Sequence, residues 1–481
     1  MIYHSTRNEL LKADSAAAVL EGLAPDGGLY VPAALPGFDW QACLKGSAMD
    51  MAHSILSALL PDIPNMKELV TKAYTGKFTT GELTPTVSVG DFGVLELFHG
   101  PTSAFKDVAL CMLPQLLTAA RAVKSPDESI LILTATSGDT GKAALEGFKD
   151  VDGIKICVFY PDGGVSQVQR AQMVTQEGNN VTVCAVKGNF DDAQTGVKMI
   201  FSAYRDKELP HRLSSANSIN IGRLAPQIMY YFKSYRDLLD AGKIKLGDEV
   251  NFSVPTGNFG DILAGFLAKK LGLPVGKLIC ASNANNVLTD FIRTGTYDRM
   301  RPLYKTNSPS MDILVSSNLE RLLYLLSGDC RLVASLMEQL SKNGSYTVPD
   351  ALLKDIQDQF WADCCDDAGA EKVIGKVFSD YGYLCDPHTA AGWAAAENYV
   401  NQTGDRRAMV VLSTASPYKF PAAVLEAIGG ELTGDEFDQM ERLSSITGVA
   451  IPKNLANLRE KPERHTGVID KDEMLNFVLN L

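Results

Sequence analysis

Three observations predict an α/β chain with two parallel-sheet lobes behind a mainly helical N-terminal segment. Short apolar runs alternate with helical stretches from Val94 onward. The alternation resumes at EVNFSVPTG, after the long helical stretch SINIGRLAPQIMYYFKSYRDLL. The first 85 residues instead carry their apolar residues mainly at helical spacing. Alternating strands and helices imply parallel sheets covered by helices on both faces. The expected domains are 1–93, mainly helical; 94–215, a small α/β lobe; and 216–481, a large α/β lobe with a helical insertion at about 290–380.

Each element has its own signal. SAAAVLEGL and ACLKGSAMDMAHSILSALL read as helices, separated by the turn PDGGLYVP. In that turn Gly27 and Gly28 can supply positive φ. VLELF, SILILTAT, KICVFYP and NVTVCAV read as buried strands. The stretches AFKDVALCMLPQLLTAARAV, TGKAALEGFKD, SQVQRAQMVTQE and DDAQTGVKMIFSAYRD read as the helices that follow them. In the second lobe EVNFSVPTG, KLICASN and AMVVLSTAS are strands, and DILAGFLAKKLG and AAGWAAAENYV are helices. The C-terminal stretch NLREKPERHTGVIDKDEMLNFVLNL reads as a solvated loop and a short helix.

Composition narrows the function class. The chain has 481 residues, 46% hydrophobic and 21% charged, which suits packed domains rather than disorder. Its net charge of −12 comes without a basic stripe, so no nucleic-acid partner is expected. No apolar run reaches the roughly 20 residues of a membrane span, and the N-terminus MIYHSTRNELLKAD is no secretory signal. A cytoplasmic protein is the expectation. The nine cysteines include no C-x-x-C spacing, which favours reduced core thiols over disulfides or metal ligands. The adjacent Cys364 and Cys365 read as helical.

The sharpest segment is LELFHGPTSAFKDVAL. Here Lys106 falls in the first turn of a helix that Thr102 or Ser103 can cap. The positive end of a helix dipole disfavours ammonium, and a lysine that forms an imine needs a lowered pKa. A solvated surface lysine is the plain alternative. Asp107 is expected to pair locally, and His99 to line the site or satisfy a loop carbonyl. The glycine-rich turns TATSGDTGKAALEGF and VPTGNFGDILAG each join a strand to a helix, where free backbone N–H groups make an anion site. The second does not end in G-K-[ST], so it is not a Walker loop. An ordinary βα turn is the alternative for the first of them. VVLSTASPYKF ends a strand with the hydroxyls of Ser413, Thr414 and Ser416, and SANSINIGRLAPQ supplies Asn217, Asn220 and Arg223, which capping and packing would equally use.

The string HGPTSAFKD resembles the pyridoxal 5′-phosphate (PLP) lysine motif of threonine synthases. PLP enzymes of fold type II, the tryptophan-synthase-β type, carry related motifs. YHSTRN, GLAPDGGLYVP, TATSGDTGKAALEGF, SANSINIGRLAPQ, VPTGNFGDILAG and LSTASPYKF resemble segments of bacterial and fungal threonine synthases in the expected order, from residue 3 to 420. One departure is Ser416, where the commoner STAHP form has histidine. The resemblance implies PLP in a cleft between two lobes, held as a Schiff base on Lys106, which is also the catalytic acid and base. It implies Thr256, Gly257, Asn258, Phe259 and Gly260 around the cofactor phosphate, and Thr414, with Ser413 next, facing the pyridine nitrogen. Ser137, Gly138, Asp139 and Thr140 are expected to hold the substrate α-carboxylate. Thr102, Ser103, Asn217 and Arg223 complete the substrate side, Arg223 as a bidentate phosphate ligand. The implied reaction converts O-phospho-L-homoserine and water to L-threonine and phosphate in a monomer or homodimer. Threonine-synthase-like proteins of animals share the pattern, and for them the implied product is 2-oxobutyrate. Another fold type II lyase, or a non-catalytic binding module, are further readings; the motif order argues against the first and Lys106 against the second.

Overall fold

The computed structural model describes residues 1–136, 138–204 and 211–481. Two sheets organise the chain. The larger runs in the order Phe360–Cys364, Val275–Ser282, Val250–Pro255, Ala408–Ser413, Phe92–Glu96, Thr86–Val89. All its neighbours are parallel except the last pair, a hairpin. The smaller is parallel throughout, in the order Val468–Ile469, Val181–Val186, Ile154–Pro161, Ser129–Ala135, His211–Ser214. Strands such as VNFSVP are buried along their whole length, as expected where helices cover both faces. The strand Phe92–Glu96 crosses the expected boundary into 94–215, yet it pairs with Ala408–Ser413 in the larger sheet.

The N-terminal segment holds four helices, Ser15–Glu21, Trp40–Cys43, Ala48–Leu59 and Met66–Tyr74. It also holds a three-stranded antiparallel sheet of Ile2–Ser5, Asn8–Asp14 and Tyr30–Pro32. The sheet leaves little trace in sequence, because NELLKAD has no fully buried residue and lacks period-two alternation. The segment docks on the helix Leu319–Ser327. Arg7 pairs with Glu320 at 2.8 Å, and Arg321 Nε donates to Tyr30 O at 3.0 Å.

Two further expectations change. SINIGRLAPQIMYYFKSYRDLL is not one helix: Pro226 sits in a 3₁₀ turn, Ala225–Gln227, between helices Ile221–Leu224 and Ile228–Asp240. Proline removes an N–H from the ladder, and the turn accommodates the loss. Cys364 and Cys365 are not helical. Cys364 ends a strand, and the Cys365 N–H donates to Ser282 O at 3.0 Å. All nine cysteines are free thiols. The C-terminal stretch is more than a loop and a helix, since Val468–Ile469 extends the smaller sheet and the helix Met474–Leu479 packs on its core. No helix among the described residues is long and apolar enough to cross a membrane.

Candidate active site

Lys106 is the first residue of the helix Lys106–Lys124, and it is 7% exposed. Neither Thr102 nor Ser103 caps this helix. The Asp107 carboxylate gathers the donors instead, accepting from Thr102 Oγ1 at 2.5 Å and from Thr102 N at 2.9 Å. The Thr102 hydroxyl is therefore committed to Asp107. Ser103 holds a left-handed φ of 59°, a costly conformation for a side-chain-bearing residue, and its Oγ shares a hydrogen bond with Asn454. His99 pairs with Glu96 at 2.8 Å and with Thr79 Oγ1 at 3.1 Å, rather than with a carbonyl through its ring.

The segment after Ala408–Ser413 lies alongside this turn. Phe105 N donates to Thr414 O at 2.8 Å, Ser416 N donates to Ser103 O at 3.0 Å, and Ala104 bridges Ala415. Thr414 is buried beside Lys106's own loop. The Ser413 hydroxyl is engaged with Thr389 Oγ1 at 3.0 Å.

Around Lys106 Nζ stand Ser310 Oγ at 3.2 Å, Asp139 Oδ2 at 3.8 Å and the Phe105 ring at 4.5 Å. Burial, first, pushes the Lys106 amine down to about 8. Asp139 and Asp261 pull it the other way, while the cations Lys419 and Arg223 add to the depression. Burial raises Asp261 to about 6. Asp139 is buried too, yet Lys419 and Lys106 hold its carboxyl well below the usual range.

The two glycine-rich turns differ. At 256–260 the N–H groups of Gly257, Asn258, Phe259 and Gly260 have no acceptor among the described residues, and all but Asn258 are buried. Phe259 has φ 63°, which turns the chain into the helix Gly260–Lys270. A side chain on Gly257 would strike Ser310 O at 2.5 Å. Unspent amides at a helix N-terminus suit a phosphate group. At 138–141 the Gly138 and Gly141 N–H groups are donated to Thr136 Oγ1 at 3.0 and 2.9 Å. These two amides are therefore not turned toward an anion as expected. Ser137 lies outside the described residues. Thr140 is half-buried in the first turn of Asp139–Phe148.

Arg223 is buried, its Nη1 bonded to Ala216 O, and burial lowers its guanidinium to about 10. Asn217 is exposed and donates its N–H to Ser215 Oγ at 3.2 Å. It lines a separate cavity of about 870 Å³ with Glu21, Glu128 and His211, away from the ring of groups around Lys106. Asn220 caps Ile221–Leu224 and donates to Val19 O at 2.8 Å, a packing role.

Sequence reasoning missed Ser310, Gln169, His388, Asp386 and Lys419. Ser310 N donates to His388 Nε2 at 3.2 Å, and His388 Nδ1 lies 2.6 Å from Asp386 Oδ2. The donor at Nε2 fixes Nδ1 as the protonated nitrogen. Asp386 before Pro387 carries a legible helix-start signal, and Lys419 is a lone charge in the apolar run YKFPAAVL. Ser310 has no local signal.

Fold and site together define an enzyme of the PLP-dependent class, fold type II. A family model described as Pyridoxal-phosphate dependent enzyme matches residues 92–414, which include Lys106, the Thr256–Gly260 turn and Thr414. Models for the threonine synthase N terminus and for threonine synthase, C-terminal, match residues 2–74 and 389–478. The threonine synthase of Pseudomonas aeruginosa is 39% identical over 97% of this chain and 95% of its own. That of Saccharomyces cerevisiae is 38% identical over 89% of each. Threonine synthase-like 1 of Homo sapiens is 40% identical over 85% of this chain, which spans only 57% of that longer protein. Among solved structures, PLP-bound threonine synthase from Brucella melitensis superposes with a TM-score of 0.87 at 37% identity, covering 100% of this chain and 99% of its own. The yeast enzyme gives 0.88 at 34%, covering 99% and 98%. The chain belongs to the threonine synthase family.

Proposed function

We propose that this chain is a threonine synthase, converting O-phospho-L-homoserine and water to L-threonine and phosphate, with Lys106 Nζ carrying PLP as a Schiff base. The observation that carries the reading is the buried Lys106 amine at a helix start, 3.2 Å from Ser310 Oγ, whose residue in turn abuts Gly257 in the turn with four unspent amides. The residues present fit the cofactor. Gly257, Asn258, Phe259 and Gly260, with Thr256, would hold its phosphate, and Thr414 would face its ring nitrogen with a neutral hydroxyl. When bound, PLP supplies an electron sink for charge developing next to the substrate amine.

The chain's own residues do the rest. Lys106 Nζ, free once the substrate amine takes its place, removes the proton from Cα and, only after giving that proton up, one from Cβ. Burial, which pushes this amine down to about 8, poises it for both directions of transfer. Arg223 offers its guanidinium to the phosphate that departs from Cγ, where charge and hydrogen bonds matter more than acid help. Lys106 Nζ returns one proton to Cγ and, at the end, one to Cα, while water places its hydroxyl on Cβ and its proton ends on the released phosphate. Asp139 and Thr140 orient the substrate from the opposite helix. The same proposal places the protein in the cytoplasm, as a monomer or homodimer.

Incubating PLP-loaded protein with O-phospho-L-homoserine tests the reading. It predicts threonine and phosphate in equal amounts, lost in Lys106→Ala by at least about a thousandfold, as for removal of a covalent catalyst. The 40% identity to threonine synthase-like 1 favours a second outcome to score, phosphate with 2-oxobutyrate and no threonine. Absence of phosphate release from loaded protein would rule out both.

A further inference from the structure

Lys419 reaches the Lys106 pocket from the 3₁₀ turn Pro417–Lys419, and its side chain is 0% exposed. Its Nζ donates to Asp139 Oδ1 at 2.7 Å and to Thr102 O at 3.0 Å. Asp139 also accepts from Gln169 Nε2 at 3.0 Å and from Ser310 Oγ at 3.4 Å. Lys106 Nζ stands 3.8 Å from Asp139 Oδ2, beyond hydrogen-bond range, and donates to Ser310 Oγ instead. Two buried lysines thus share one carboxylate unequally, and the fully enclosed one takes it.

The charges facing Lys106 come from four elements. Asp139 leads the helix Asp139–Phe148, Asp261 lies in the first turn of Gly260–Lys270, Arg223 comes from Ile221–Leu224, and Lys419 from its turn. On the lysine's own helix, the Asp107 carboxylate is turned toward Thr102. Of the carboxylates among these groups only that of Asp139 is within 4 Å of Lys106 Nζ. Removing Lys419 would leave a buried carboxylate with Lys106 as its nearest cation. The two would close into a pair, since an uncompensated buried charge is costly.

We propose that Lys419 is a positioning residue: by holding Asp139, it keeps Lys106 Nζ from closing an ion pair and leaves it a free amine able to attack a carbonyl. The proposal rests on the reading that Lys106 bonds PLP. It assigns Asp139 a side-chain role distinct from any contact of its backbone with substrate.

The test adds PLP to full-length protein freed of cofactor and follows growth of the visible Schiff-base band against pH, a readout independent of turnover. Lys419→Met is expected to move the midpoint of the rate up by about one pH unit, slowing the reaction at pH 7 about tenfold. Lys419→Met combined with Asp139→Asn is expected to bring the midpoint back, because the neutral pair leaves Lys106 nothing to pair with. Asp139→Asn alone, which keeps Lys419, is expected to lower the midpoint below wild type, and it decides the matter if Lys419→Met does not fold. A wild-type midpoint in folded Lys419→Met, or in Asp139→Asn, would overturn the inference alone. Wild type that forms no band, like Lys106→Ala, would overturn the cofactor reading and this inference with it.

Discussion

At the scale of single residues, burial sets the chemistry. Asp107 is enclosed, and burial pushes it up to about 6 despite the Thr102 donors. A group raised on folding contributes stability that is present at low pH and lost as pH rises from 3.8 through about 6. The melting temperature of wild type, measured relative to Asp107→Asn, should therefore fall across that window. Asp107→Ala strands the Thr102 N–H and hydroxyl and should cost about 2–6 kcal/mol, from about 1–3 for each stranded group, seen as a lower denaturation midpoint. Lys106 was legible because HGPTSAFKD places it at a helix start in one continuous string. Ser310 and Lys419 were not, since they arrive from turns more than 200 residues away in sequence, and only packing brings them together. Thr102 misled for the opposite reason: a hydroxyl shortly before a helix looks like a cap, but Thr102 stands four residues before Lys106 and Asp107 accepts from it.

At the scale of elements, the helices carrying Lys106 and Asp139 cross at a notch. Pro114 interrupts Lys106–Lys124 and lacks the N–H that would bond to Leu110 O. Gly147 of Asp139–Phe148 sits against that carbonyl, and a Cβ there would lie 2.0 Å from Leu110 O, a backbone atom that cannot step aside. This close crossing sets the separation between Lys106 and Asp139. Gly147→Ala should push the helices apart and cost about 1–3 kcal/mol, the range for overpacking a core, read as a lower unfolding midpoint. Both helices could be read from apolar spacing. The notch could not, because neither a proline inside a helix nor a lone glycine announces its partner. The N-terminal sheet stayed hidden for a different reason, as its strand NELLKAD buries no residue fully and has no alternation to reveal it.

At the scale of the whole molecule, strand–helix alternation forecast two parallel sheets but not their membership. Phe92–Glu96 pairs across more than 300 residues with Ala408–Ser413, and this pairing brings Thr414 beside the Lys106 turn. The C-terminal stretch closes the smaller sheet in the same way. Gly467 O lies 3.6 Å from the Cys184 Sγ, and Phe477 packs edge-on to Phe159 at 5.9 Å. Deleting residues 466–481 should expose Cys184 to thiol reagents that do not reach it in the intact chain, with peptide mapping as the readout. The central claim, that Lys106 carries PLP in the cleft these sheets form, has a direct test in borohydride reduction of the PLP-loaded protein followed by peptide mass mapping. The account predicts a phosphopyridoxyl adduct on Lys106 and none on Lys419. An adduct on another lysine, or none on Lys106, would contradict it.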